Sequence, residues 1–262
     1  MTNPPNRIAL VTGAESGIGA ACAIALAQDG ADIAVLFHSD AQAAGVTVAA
    51  VEATGRRAIA VQADVGDEAQ VGMAFDETKR RLGLVDILVN SAGLNQSGVK
   101  VIDMELAQWR RLLDTDLTGG FLTCRRYLRD RREAGIGPER PGRIINITSI
   151  HAHDVRAGAA DYCAAKSGMA RLTETLALET ALEGVTVNAI APGMILTPMN
   201  SRAVADPLYR KGLEDNVPAG RAGSPQEVGA MAVYLASPAA AYVTGASLVI
   251  DGGLSLVLAL GA

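Results

Sequence analysis

Short apolar runs alternate with longer segments in which apolar positions recur at helical spacing, from residue 8 to about residue 250. The short runs, at 8–11, 32–37, 57–62, 86–89, 142–148, 185–190 and 246–250, are nearly continuous in Val, Ile, Leu and Ala. A strand of that composition is buried on both faces, the condition of a parallel sheet rather than a half-solvated one. Helices are predicted between them, over 17–29, 67–82, 105–133 and 161–183, the last closed by Gly184 as a left-handed cap. Strand and helix in strict alternation predict an α/β fold with seven parallel strands and helices on both faces. Residues 191–218 break the pattern: they hold Pro192, Gly193, Pro198, Pro207 and Pro218, read as irregular, and are expected to form a lid-like segment over 192–218.

Length and composition narrow this to one domain spanning residues 1–262, since 262 residues at 49% hydrophobic suffice for one extensive core and not for two. A formal net charge of −5 offers no basic field for nucleic acid, and the basic run from Arg125 to Arg132 reads as a solvated helix face. Cys22, Cys124 and Cys163 share no short spacing, so neither a disulfide framework nor a metal site is indicated and a reducing, cytoplasmic setting is expected. The N-terminal residues carry no signal-peptide core, and no apolar run approaches the roughly 20 residues that span a bilayer. The apolar stretch at 254–260 is expected to pack against another subunit.

The polar residues at the strand ends supply the chemistry. After the first strand comes Thr12-Gly13-Ala14-Glu15-Ser16-Gly17-Ile18-Gly19 and then a helix, which sets a glycine turn at a helix N-terminus, where a pyrophosphate binds. Asp64 and Val65 close the third strand and Asn90-Ser91-Ala92-Gly93 the fourth, all beyond the carboxyl ends where doubly wound sheets bind ligands. Asp64 reads equally well as a helix cap, and Asn90 as a turn residue. Tyr162 and Lys166 lie four residues apart on one helix face. A Lys beside a Tyr favours the phenolate, whose ordinary pKa is about 10, and so brings it towards proton transfer near neutral pH.

Taken in order, the 12–19 turn, Asp64-Val65, Asn90 to Gly93, Ser149, Tyr162 with Lys166, Asn188, Pro192-Gly193 with Thr197, and Asp251-Gly252-Gly253 resemble the classical short-chain dehydrogenase/reductase family over essentially the whole chain. The resemblance implies a Rossmann-type domain and an NAD(P)-dependent oxidoreductase interconverting an alcohol and a ketone or aldehyde. It implies that Tyr162 exchanges a proton with the substrate oxygen, that Ser149 hydrogen-bonds the same oxygen, and that Lys166 holds the nicotinamide ribose and lowers the pKa of Tyr162. The same resemblance assigns Gly13, Ser16, Gly17, Ile18 and Gly19 to the pyrophosphate turn, and Asp64 and Val65 to the adenine. Asn90 goes with a ribose, with Ala92 and Gly93 beside it, and Pro192, Gly193, Ile195 and Thr197 with the nicotinamide end. The Asp251 turn reads as structural. A homotetramer is implied as well.

One position departs from the family pattern. Asp116, in Asp116-Leu117-Thr118-Gly119, stands where the family has a catalytic Asn. If the position works through its main-chain carbonyl, binding a water in a relay to Lys166, Asp can replace Asn; if an amide donor is needed, it cannot. The first is the expectation, and the second would leave a catalytically impaired, cofactor-binding protein on the same scaffold. Phe37 occupies the usual acidic position after the second strand, followed by His38 and Ser39 as candidate 2′-phosphate contacts, which favours NADP(H) and leaves NAD(H) possible. Asp40 reads as a helix cap, and Glu15 near the phosphates argues the other way by charge. Leu94 to Gln96, Ile150 to Asp154 and Met194 to Asn200 are expected to face a small-molecule substrate. His151, His153 and Asp154 suggest a polar one, such as a sugar, a polyol or a carbonyl compound.

Overall fold

The computed structural model describes residues 7–95 and 98–259. Gln96, expected at the substrate, and Leu260, the last residue of the 254–260 run, lie outside them. Seven strands, β1 (Ile8–Thr12), β2 (Asp32–Phe37), β3 (Ala58–Gln62), β4 (Ile87–Asn90), β5 (Gly142–Ile147), β6 (Val185–Pro192) and β7 (Ser247–Ile250), form one parallel sheet in the order β3-β2-β1-β4-β5-β6-β7. The chain builds outward from β1 to β3, then returns to lay β4 on the other side of β1. That reversal opens a crevice at the carboxyl ends of β1 and β4, the switch point at which such sheets bind ligands.

Nine helices follow in the described chain: α1 (Gly17–Gln28), α2 (Ala41–Glu52), α3 (Glu68–Arg81), α4 (Leu106–Leu113), α5 (Gly119–Glu133), α6 (Ala160–Thr180), α7 (Ser201–Ala205), α8 (Pro207–Glu214) and α9 (Pro225–Ala236). Successive strand residues feed opposite cores. Ala9, Val11, Ile33, Val35 and Ile145 pack with Cys22 and Leu26 of α1 and Val228 and Leu235 of α9. Leu10, Leu36, Leu88, Ile144 and Val187 pack with Phe75 of α3, Leu122 and Tyr127 of α5 and Leu176 of α6. In β1, β2, β4, β5 and β6 the continuous apolar runs are therefore explained by burial on both faces, whereas the edge strands β3 and β7 are only partly buried.

The helix read over 105–133 runs without a break from Leu106 to Glu133, with a π turn at Asp114–Thr118 between α4 and α5. A π turn holds one residue more than an α turn, and it carries Asp116, which is buried and bound through both carboxylate oxygens. One expectation is corrected, that 191–218 is irregular. This stretch holds a 3-10 turn at Pro198–Asn200 and the helices α7 and α8. Pro198 and Pro207 open their helices, where a missing N–H costs nothing, and Asp206 caps α8 by accepting from the N–H groups of Leu208 and Tyr209. Gly184 ends the long α6 segment at φ 73°, the left-handed cap its sequence called for.

Candidate active site

The glycine turn is held in place by its neighbours across the crevice. Thr12 Oγ1 accepts from the N–H groups of Ser91 at 3.0 Å and Ala92 at 2.9 Å, tying the end of β1 to the loop after β4. Gly13 adopts φ 61°, and a Cβ there would stand 2.8 Å from the Ala92 Cα, so only glycine permits this approach. Ser16 takes the N-cap position of α1 without making a side-chain cap bond, and the first intrahelical bond runs from Ala20 to Ser16. The N–H groups of Gly17, Ile18 and Gly19 thus stand at the positive end of the helix dipole without intrahelical acceptors. Nearby, the Glu15 Oε2 is buried without a hydrogen-bond partner. Unsatisfied amides suit a pyrophosphate and an orphaned carboxylate oxygen suits a hydroxyl donor, so these residues fit a dinucleotide's phosphates and ribose.

On the far side of the crevice stand the proton-bearing groups. Ser149 follows β5 and is buried. It caps the 3-10 turn Ile150–Ala152, its Oγ accepting from the His151 N–H at 3.1 Å, which leaves the hydroxyl proton to be donated. Tyr162 and Lys166 lie in the first two turns of α6, with the Lys166 Nζ 5.4 Å from the centre of the Tyr162 ring. That Nζ donates to the Ile147 carbonyl at 3.3 Å and lies 3.0 Å from the Asp116 Oδ2. The other Asp116 oxygen accepts from the Leu94 N–H at 2.7 Å. Position 116 was expected to act through its main chain; in the structure its carboxylate reaches Lys166 directly. Burial pushes the Lys166 ammonium down, but the adjacent Asp116 and Tyr162 outweigh it and hold the group above its ordinary pKa.

The remaining expected residues fall into two groups. Thr197 faces the glycine turn, since a Cβ on Gly17 would lie 3.3 Å from the Thr197 Cβ, and its N–H is held by the Asn200 Oδ1 at 2.8 Å. Ile195 is buried and bridges to Gly223, Pro192 ends β6, and Gly193 packs against Asp251. Val65 is buried against Gly119, and the Asp64 carboxylate accepts from the Gly66 N–H at 2.9 Å while Asp67 caps α3. Ala92 and Gly93 line the crevice wall. Asn90, by contrast, turns its amide inward: it donates to Asn146 Oδ1 at 2.9 Å and accepts from Thr123 Oγ1 at 2.7 Å, and Asn146 donates in turn to Thr173. Its side chain is committed to the interior, and a ribose would meet only its main chain.

His38 and Ser39 are exposed beyond the end of β2, and Asp40 caps α2. The two candidate substrate histidines separate: His153 is exposed, whereas His151 meets the Tyr162 ring edge-on at 6.2 Å with its Nδ1 2.7 Å from the Asp154 carbonyl. Asn146 escaped the sequence reading, although it could have been noticed as a polar residue in an otherwise apolar strand. Asn95, in the segment expected to face the substrate, donates its Nδ2 to the Met199 carbonyl at 3.2 Å and joins the β4 loop to the segment before α7.

A family model described as enoyl-(acyl carrier protein) reductase matches residues 13–255. A short-chain type dehydrogenase/reductase from Mycobacterium marinum superposes with a TM-score of 0.85 at 35% identity, over 95% of each chain. The chain belongs to the short-chain dehydrogenase/reductase family. Among other members of this family, 3beta-hydroxysteroid dehydrogenase 1 of Eggerthella lenta is 42% identical over 250 residues, covering 94% of this chain and 93% of its own. A gluconate 5-dehydrogenase from Burkholderia cenocepacia, solved in complex with NADP and tartrate, is 34% identical with a TM-score of 0.87 and covers 97% of this chain and 96% of its own. This short-chain dehydrogenase/reductase is thus an oxidoreductase enzyme that uses a nicotinamide dinucleotide on alcohols and carbonyls. All three of its cysteines are buried and free, and burial pushes the Cys22 and Cys124 thiols up to about 12, which removes them from nucleophilic chemistry at neutral pH.

Proposed function

We propose that the enzyme interconverts a polar alcohol and the corresponding ketone or aldehyde with NADP(H), Tyr162 giving the proton in reduction and taking it back in oxidation. The observation that carries this reading is the clamp on Lys166: a buried ammonium held beside the Tyr162 ring, one strand end from the Ser149 hydroxyl. Ser149 donates to the substrate oxygen and fixes it. Tyr162 donates to the same oxygen as negative charge develops there, and the ammonium of Lys166 stabilises the phenolate left behind. When bound, the dinucleotide supplies or accepts the hydride. Gly13, Ser16, Gly17, Ile18 and Gly19 hold its pyrophosphate, Asp64 and Val65 the adenine, and the main chain from Asn90 to Gly93 a ribose. Pro192, Gly193, Ile195 and Thr197 hold the nicotinamide end.

NADP(H) is favoured because Phe37 removes the acidic residue that would repel a 2′-phosphate, with His38 and Ser39 open to solvent beside it; the Burkholderia cenocepacia gluconate 5-dehydrogenase, solved with NADP, adds support. A polar substrate is supported by His151 at the edge of Tyr162 and by that same relative's activity. The apolar side chains of Leu178 on α6, Leu182 in the 3-10 turn after it and Phe121 on α5, all open to solvent, support a homotetramer. The deciding experiment is turnover with NADPH and NADH over ketones, sugars and polyols, comparing the native enzyme with Tyr162→Phe. The variant is expected to lose at least about a hundredfold in kcat while binding NADPH normally by fluorescence. Unchanged turnover would refute the role given to Tyr162.

A further inference from the structure

We propose that Asp116 is a positioning residue that tunes the proton chemistry of Tyr162 through Lys166: its carboxylate offsets the Lys166 charge that Tyr162 feels, so the Tyr162–Lys166 pair keeps its proton to more alkaline pH than it would beside an amide. The proposal rests on the reading of Tyr162 and Lys166 as the proton-transfer pair. It adds the consequence of a charge where the family pattern has none.

Both members of the ion pair are almost wholly buried, Lys166 at 6% and Asp116 at 4% exposure, so their 3.0 Å contact is little screened by solvent. The carboxylate is itself fixed. The π turn delivers it, the Leu94 N–H holds one oxygen, and the missing side chain of Gly93 leaves the other room to meet the ammonium. A cavity of about 10 Å³, enough for one water, adjoins Thr12, Asn90, Asp116 and Lys166. The direct contact means that the carboxylate, and not only a water in that cavity, governs the ammonium.

The other charged or titratable groups around Tyr162 come from two elements. From the 3-10 turn after β5, His151 meets its ring edge and Asp154 lends only a main-chain carbonyl to that histidine. From α6 itself, Asp161 accepts from the Tyr162 N–H at 2.8 Å. None of them contacts Lys166, so the lysine's charge is balanced by Asp116. With an amide in its place, Lys166 keeps its proton and its full charge bears on Tyr162, so the phenol gives up its proton at lower pH.

Asp116→Asn isolates this effect, because the amide oxygen can still accept from the Leu94 N–H while the charge is lost. The test is a pH titration of the cofactor-free protein in the ultraviolet phenolate band, each form read as the difference from its own Tyr162→Phe counterpart. Asp116→Asn is expected to lower the midpoint by about one pH unit and to displace the pH profile of kcat/KM in the same direction. If Asp116→Asn does not fold, Asp116→Ser is titrated instead, with the same displacement expected. An unchanged or raised midpoint overturns the proposal, including one accompanied by lower activity, since that would make Asp116 merely structural. A lowered midpoint in an enzyme that turns over no carbonyl would sustain the proposal and overturn the proposed function, so the two fail separately.

Discussion

At Gly93 the chain has no room for even a methyl group: a Cβ there would stand 2.8 Å from the Asp116 Oδ2 and 3.3 Å from the Lys166 Nζ. Since those two atoms are the ion pair behind Tyr162, Gly93→Ala must push them apart or push the β4 loop outward. A displacement of that size costs on the order of a hundredfold in rate. Steady-state kinetics should show this loss, with the far-ultraviolet circular dichroism unchanged; a fully active Gly93→Ala would show that the pair tolerates separation. The Tyr162–Lys166 spacing could be read directly from the sequence because both residues lie on one helix, where geometry follows from numbering. The partner of Lys166 could not be read that way, since it comes from fifty residues upstream and depends on how a different helix is wound.

Among the elements, the glycine turn, the strand ends and the long α6 helix were legible because each is specified by its own local pattern. Where the sequence misled, a non-local cause prevailed. The helix over 105–133 was legible, but the π turn within it was not, because one additional residue leaves the apolar periodicity intact on both sides. In 191–218 the prolines suggested breaks, yet Pro198 and Pro207 sit where helices begin. The direction of the Asn90 amide could not be read, because nothing near it in sequence reveals Asn146 and Thr173, which hold it inside through hydrogen bonds of 2.9 and 2.8 Å in series. That chain fastens β4 and β5 to α6. Thr173→Val would leave the Asn146 amide without its acceptor, and denaturant unfolding should report a loss of about 1–3 kcal/mol; a neutral outcome would mean that the network is not needed to hold the helix.

For the molecule as a whole, chemistry gathers at the carboxyl ends of the strands, while Leu178 of α6 and Leu182 in the 3-10 turn after it stand 86% and 95% exposed. Leaving two leucines in water is unfavourable unless another copy covers them. Light scattering coupled to gel filtration should therefore give four chain masses, and a monomer would end that expectation. The crossover from β4 to β5 serves two surfaces, the inner wall at Lys166 and the sheet core met by Leu122 and Tyr127. Each residue of an α-helix advances the rotation by about 100°. The five-residue turn at Asp114–Thr118 is thus a phase adjuster, and shortening it by a single residue would swing α5 by more than a quarter of a revolution relative to α4, disengaging catalytic wall and core in one stroke.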